Sequence, residues 1–439
     1  MHRFKYAKPG AACRRLAALL VTFSMVTLLC AACDGPAQPL KGPVSDLARP
    51  RGTPARTLAI QPMTTIGADG VGYFSDPYPA RLAPFRGGRT QVFSGTTKAI
   101  MSCAYPVSAR CFSWARAAID AGTLRTKIAA AGASITNFQN LGLFQDDASR
   151  WHAVLAIGVN SPAHPAYWTV LVHAHPPMDA APGAVPLAWS ADTVLSGSFS
   201  NPADGNYDGK YFEDEGRLYL LYVKNFAPRP ALRNGIVIQP MLSPTRPAPE
   251  RPTTLLMPDD GPGALDSEAY YHALVKLVEA PNLTKIAGKY ALIYSTGAYW
   301  KADYKTGVAW SDTLMPALGG PGGWYRKVLE PDVQGLWGQP GRPEIHYLLQ
   351  SQHSRWPNFT GDQVIGPGVA SSVQRPGGAW WLYFAGFDPA DWPLMPPGAV
   401  QADHRRPFFV RLRVAVPPSQ PVSAASDAEL ATWLRPEVQ

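Results

Sequence analysis

Five groups of short, aromatic, turn-bounded strands predict an all-β chain folded as a five-bladed β-propeller, with one short helical insertion. Composition supports this. The 439 residues include 39 glycines and 45 prolines, which implies many turns and little long helix. Apolar residues make up 46% and charged residues 16%, with 13 Trp, 18 Tyr and 16 Phe. Such a chain can bury a large core and is not disordered as a whole. The third observation is repetition: similar Gly-aromatic hairpins recur at intervals of several tens of residues, as the blades of a propeller do.

Residues 1–32 read as a secretory signal of the lipoprotein type. Arg3, Lys5, Lys8, Arg14 and Arg15 form a basic start, and "LAALLVTFSMVTLL" forms an apolar stretch at the short limit for a membrane-spanning helix. The small residues before Cys33 resemble the bacterial lipoprotein box, although Cys30 occupies the position that is usually aliphatic. A lipidated Cys33 would tether the chain to the cell envelope, periplasmic or surface-exposed. Plain secretion with cleavage near Ala32, or a retained helical anchor, are the alternatives. Residues 33–57, rich in Pro, Gly, Ala and Arg, read as a flexible linker.

The predicted propeller spans residues 58–416. Its clearest strand groups are "GRTQVFSGTT", "SRWHAVLAIGV" with "AYWTVLVHAH", "GRLYLLYVKN" with "NGIVIQPML", "GKYALIYSTGAYW" with "KTGVAWSD", and "GAWWLYFAGFD" with "RPFFVRLRVAV". Each is β-branched or aromatic and bounded by Gly, Pro, Asn or Asp. A jelly roll or two-sheet sandwich would explain paired strands but not the repeated hairpin. The Ala-rich stretch 112–132 reads as the helical insertion. Residues 417–439 read as a polar, Pro-rich C-terminal tail with one short helix. Export makes a disulfide between Cys103 and Cys111 permissible, with two free buried thiols as the alternative. Neither cysteine has metal-ligand spacing around it. The formal net charge is +8, yet the basic residues are scattered and form no nucleic-acid motif, so nucleic acid is not an expected partner.

Three carboxylates stand near the starts of aromatic strand runs. Asp76 lies in "VGYFSDPYPARL", Asp208 in "NYDGKYFEDEGRLYLLY", and Glu279 in "ALVKLVEAPNLTKIAGKYALIYS". A propeller brings such positions together at one end of its axis. Asp214, Glu215 and Gly216 read as a hairpin turn. Glu279 is a lone carboxylate in an apolar run, where ionisation is costly and a proton tends to be retained.

These motifs, in this order, resemble glycoside hydrolase family 43, five-bladed propellers acting on arabinan and xylan. The resemblance runs from about Tyr73 to Val416. It includes "GPGVASSVQRPGGAWWLYFAG", similar to a Gly-Pro-Gly-His segment before a tryptophan strand. It implies Asp76 as general base, Glu279 as general acid, and Asp208 as the residue that tunes and orients the acid. The chemistry implied is inverting hydrolysis, with acid and base about 6.5–9.5 Å apart. Three departures stand out. Ala280 replaces a glycine, harmless unless the position needs a positive φ. Gly209 stands where a proline often follows the second Asp. Val369 replaces a histidine that in relatives helps hold an axial calcium, so no cofactor is expected.

Tyr299, Trp300, Trp337 and Trp356 are candidate sugar-stacking platforms, with packing as the alternative for each. Arabinose- or xylose-containing polysaccharides or oligosaccharides are the expected substrates. The rival functions are a non-catalytic carbohydrate-binding propeller lipoprotein, a retaining enzyme on fructans or sucrose, and a structural envelope lipoprotein. No Arg-Asp-Pro motif surrounds Asp208 to support the second of these.

Overall fold

The computed structural model describes residues 57–63, 74–80, 90–95, 99–104, 114–177, 185–202, 205–226, 233–258, 268, 276–316, 324–330, 344–354, 358–375, 377–392 and 404–439. They form an all-β five-bladed propeller with two short α-helices among them.

A short strand, β1 (Gln61–Pro62), comes first. Blade 1 follows as β2 (Tyr78–Pro79), β3 (Thr90–Ser94), β4 (Ala99–Ala104) and β5 (Trp114–Arg116). Blade 2 contains β6 (Ala118–Asp120), β7 (Ser134–Gln145), β8 (Trp151–Ser161), β9 (His164–His175) and β10 (Ala188–Ser196). Blade 3 is built on β11 (Asn206–Asp214), β12 (Arg217–Asn225) and β13 (Arg233–Ser243), edged by β14 (Arg246–Pro247), β15 (Thr253–Leu256) and β16 (Lys276–Leu277). Blade 4 has β17 (Glu279–Ile286), β18 (Lys289–Thr296), β19 (Lys305–Ser311) and β20 (Arg326–Lys327). A two-stranded ribbon follows, β21 (Leu329–Glu330) with β22 (Glu344–Ile345), and β23 (Tyr347–Leu349) returns to pair with β19. Blade 5 is β24 (Ile365–Gln374), β25 (Trp380–Phe387) and β26 (Arg406–Val414), and β27 (Leu434–Pro436) adds to its edge.

Local chemistry explains the hairpins. Glu215-Gly216 and Ala287-Gly288 have φ values of 51° and 73°, and 49° and 81°. Both pairs form two-residue turns with positive φ throughout, matching the twist of the strands they join. The Asp214–Gly216 turn lies where the sequence places it.

Packing explains the ring, because each junction between neighbouring blades holds its own apolar cluster. Val92 and Ile100 meet Leu155 and Val170 between blades 1 and 2. Val154 and Leu171 meet Leu220 and Tyr222 between blades 2 and 3. Leu221 and Ile238 meet Leu292 and Tyr294 at the next junction, and Ile293 and Trp310 meet Phe384 and Val410 at the one after. Phe93 and Met101 meet Tyr383 and Phe409 where blade 5 returns to blade 1. Burying about 25 cal/mol per Å² of apolar surface at every junction favours the closed ring over separate sheets.

The ends of the described chain complete the closure. β1 pairs antiparallel with β26, and Leu58 bridges to Val438. This corrects the reading of 417–439 as a tail. The helix Asp427–Trp433 is fixed by a capping box between Ser426 and Glu429, and Trp433 packs edge-on against Trp310 at 5.3 Å. β27 then pairs with β26. The helical insertion is also shorter than expected. Only Leu124–Ala130 is α-helical. Before it, β5 and β6 pair with β4 and β10, so edge pairing overrides the alanine content there. Cys33, Cys111, Trp337, Trp356 and the signal and linker segments lie outside the described residues, as does the side chain of Cys103.

Candidate active site

The innermost strands of neighbouring blades touch, β7 with β11, β11 with β17, β17 with β24, and β24 with β2. Within or just before every one, a single non-glycine residue adopts a left-handed backbone: Asp76 (φ 64°), Asn140 (51°), Asp208 (53°), Ala280 (51°) and Val369 (52°). In blades 2 to 5 a register shift accompanies it. The other non-glycine residues with positive φ among the described ones, Ser149, Glu215 and Ala287, lie in hairpin turns. Each such conformation costs on the order of 1 kcal/mol or more, and strain of this kind gathers at functional sites. Ala280 therefore does occupy a position suited to glycine.

At or beside these positions three carboxylates gather. Asp76, Asp208 and Glu279 are all buried, at 7%, 6% and 8% exposure. They lie close enough that the charges of Asp208 and Asp76 both act on Glu279. Burial, and then the Asp208 charge, pushes the Glu279 carboxyl up to about 8. Two phenols orient it. Tyr304 Oη donates to Glu279 Oε1 at 2.7 Å, and Tyr207 Oη donates to Oε2 at 3.1 Å. Asn234 Nδ2 donates to Tyr207 Oη at 2.8 Å, fixing the direction of that hydroxyl. Burial raises both phenols well above their ordinary range, so they remain donors at any working pH. A Cβ on Gly368 would come within 2.2 Å of the Tyr304 ring. Glycine there lets the ring lie against the backbone and reach Glu279.

Asp76 has a different partner. Arg405 Nη1 donates to Asp76 Oδ1 at 2.8 Å, and Nη2 donates to the Ala385 carbonyl at 2.8 Å. The guanidinium is 1% exposed and offsets the cost of burying the Asp76 charge. It also lies 5.0 Å from the Tyr304 ring. Asp208 Oδ2 accepts from the Ala280 amide at 2.9 Å. Burial raises its carboxyl, and the ammonium of Lys210 opposes that rise. The site thus holds one carboxyl that keeps its proton toward neutral pH, one carboxylate paired with arginine, and a third, Asp208, that burial pushes up to about 6.

Two of the candidate platforms, Tyr299 and Trp300, lie among the described residues. Tyr299 packs against Tyr78, Ala280, Tyr304 and Val369, and Trp300 stands edge-on to it at 4.7 Å. Val369 is 4% exposed and donates its amide to Ser295 Oγ at 2.7 Å. It offers the axis no ligand atom, and among the described residues no three His, Cys, Asp or Glu side chains gather as an ion would require. The residues present do not fit the calcium site that the family resemblance implies.

Arg405, Lys210, Tyr207, Tyr304 and Tyr78 were not singled out by sequence reasoning. Lys210 gave little signal, since Asp208 and the acidic turn residues Glu213, Asp214 and Glu215 flank it in the sequence. Tyr78 stands in the "SDPYP" motif itself.

No protein-family model matches the sequence, and no curated protein is significantly similar to it. Among solved structures, the fold is similar to that of a thermostable family-43 glycoside hydrolase, with a TM-score of 0.52 and 16% identity, covering 83% of this chain and 93% of that one. An exo-1,5-α-L-arabinanase from a bovine ruminal metagenomic library gives a TM-score of 0.49 and 15% identity, covering 83% of this chain and 97% of that one. An α-L-arabinanase from Cellvibrio cellulosa, complexed with arabinohexaose, gives 0.47 and 14%, covering 83% and 99%. The first of these establishes a shared five-bladed fold.

Proposed function

We propose that this chain is a glycoside hydrolase that cleaves arabinose- or xylose-containing polysaccharides or oligosaccharides with inversion. The observation that carries the reading is the contrast between two buried carboxyls at one axis: Glu279, raised to about 8 and held by two tyrosines, and Asp76, paired with Arg405. Paired carboxyl groups in opposite protonation states are what acid–base cleavage of a glycosidic bond requires. In this mechanism Asp76 accepts a proton from a water whose oxygen bonds to the anomeric carbon. The bond to the leaving oxygen breaks, its electron pair stays on that oxygen, and Glu279 supplies the proton. Glu279 ends ionised and Asp76 protonated, and exchange with solvent resets both. Asp208 keeps the acid protonated through its negative charge and orients it through the Ala280 amide. Tyr299 and Trp300 are the proposed platforms for sugar rings.

The full-length protein, purified in detergent, is assayed on aryl α-L-arabinofuranoside, aryl β-D-xyloside, arabinan and xylan. The expected result is hydrolysis whose kcat/KM falls as pH rises through about 8, because the free enzyme then loses the Glu279 proton. Binding of these glycans without turnover, unchanged by Glu279→Ala and Asp76→Ala, would instead identify a carbohydrate-binding propeller.

The basic and apolar stretch before Cys33 supports a lipid anchor that holds this activity in the envelope. Intact-mass spectrometry of the protein and of Cys33→Ser tests the anchor. Acyl-chain mass on the parent alone is expected, and an unmodified parent cleaved near Ala32 would replace the anchor with plain secretion.

A further inference from the structure

Three side chains of β11 hold three consecutive residues of β17. Tyr207 Oη donates to the Glu279 carboxyl at 3.1 Å. Asp208 Oδ2 accepts from the Ala280 amide at 2.9 Å. Lys210 Nζ donates to the Pro281 carbonyl at 2.8 Å and lies 3.5 Å from the centre of the Tyr78 ring. The register shift between Tyr207 and Lys210 lets the adjacent Tyr207 and Asp208 both face β17, since neighbouring strand residues otherwise point to opposite faces. The first two contacts belong to the acid and its tuning residue. The third has no part in the mechanism above, yet it places a cation within reach of the Asp208 and Asp76 carboxyls.

We propose that Lys210 is a positioning residue for the general acid: its ammonium grips the backbone beside Glu279 and holds Asp208 as the carboxylate, so that the proton stays on Glu279. This rests on reading Glu279 as the acid. The groups that decide the proton's place are Glu279, Asp208, Asp76, Lys210 and the phenols of Tyr78, Tyr207 and Tyr304. The cations at the site are Lys210 and Arg405, and Arg405 is committed to Asp76. Without the lysine charge, Asp208 is a buried carboxylate facing Asp76, and it takes up a proton more readily. A neutral Asp208 no longer repels charge on Glu279, which then releases its proton at lower pH. Removing one ammonium therefore moves the proton from the acid to its neighbour. Burial lowers the lysine itself, against the attraction of Asp208 and Asp76, so its charge is itself lost as pH rises. The two carboxyls titrate as a coupled pair, and both must be observed.

The experiment is an infrared titration of the carboxyl C=O band in the full-length protein. It compares parent, Lys210→Met and Lys210→Arg, with Glu279→Gln and Asp208→Asn used to assign the bands. In Lys210→Met, the Glu279 band should vanish at least about one pH unit lower than in the parent, while the Asp208 band persists to higher pH. Lys210→Arg, which keeps a cation, should restore the parental order. On any glycoside the parent hydrolyses, Lys210→Met should lose about 10- to 100-fold in kcat with KM nearly unchanged. A Lys210→Met protein that folds, titrates and turns over like the parent would overturn the proposal, as would Lys210→Arg titrating like Lys210→Met. Should Lys210→Met not fold, Lys210→Gln takes its place with the same expected result. If no glycoside is cleaved, the hydrolase reading fails, but the infrared bands still show whether Lys210 places the proton.

Discussion

Glu279→Gln should abolish cleavage of substrates with poor leaving groups while sparing those with good ones. A sugar alkoxide leaves only when protonated, so losing the acid should cost about 10²- to 10⁴-fold in kcat on arabinan, xylan or an alkyl glycoside. A dinitrophenolate leaves without help, so the same variant should stay within about tenfold of the parent on a dinitrophenyl glycoside. Asp76→Asn removes the group that takes the proton from water, and that proton must leave whatever the leaving group. Its loss, also about 10²- to 10⁴-fold, should be uniform across the series. Glutamine preserves the hydrogen bonds available at position 279, since each flanking tyrosine oxygen can accept as well as donate, so folding should survive. A series of aryl glycosides of graded leaving-group acidity separates the roles. If both variants respond alike to the leaving group, the assignment of acid and base is wrong.

The architecture and the three carboxylates were legible because both are local patterns. Short β-branched and aromatic runs between Gly- and Asp-containing turns announce hairpins, and Glu279 announces itself as a charge in an apolar run. Arg405 is invisible by the same logic. It stands in the basic run His404–Arg406, which reads as solvated, and its partner Asp76 lies 329 residues away. The left-handed ring escapes for another reason. Asp76, Asn140, Asp208, Ala280 and Val369 share a backbone state and no side-chain chemistry, so no residue-type rule connects them. The supposed tail misleads through composition. "VPPSQPVSAAS" resembles a linker, but Ser426 and Glu429 three residues on form a capping box, a legible sign that an ordered helix follows. What the sequence could not show was that this helix buries Trp433 against blade 4 and returns β27 to blade 5.

Arg405→Met should be the most destabilising single change at the site. Methionine approximates the length of the aliphatic stem but removes the charge, leaving the buried Asp76 carboxylate without its partner. Breaking a buried pair from one side costs about 3–5 kcal/mol, seen as a large fall in the urea midpoint at neutral pH. The same substitution also removes the donor to the Ala385 carbonyl. Asp76→Asn combined with Arg405→Met should recover part of the loss, because no uncompensated charge then remains. In Arg405→Met alone the deficit should narrow on acidification. The unpartnered Asp76 would bind a proton more tightly folded than unfolded, and such a group stabilises the fold as pH falls. Arg405→Lys should rescue incompletely, since one ammonium lacks the fork that spans Asp76 and the Ala385 carbonyl. If the single and double variants are equally unstable at every pH, the ion pair is not the source of the loss. The arrangement also explains why this arginine does more than serve the base. Ala385 lies in β25, and Arg405 directly precedes β26, so its link to Asp76 joins blade 5 to blade 1. That is the same junction that β1 closes by pairing with β26. The interaction that neutralises the proposed base is thus part of the closure of the ring, and a variant that weakens one must weaken the other.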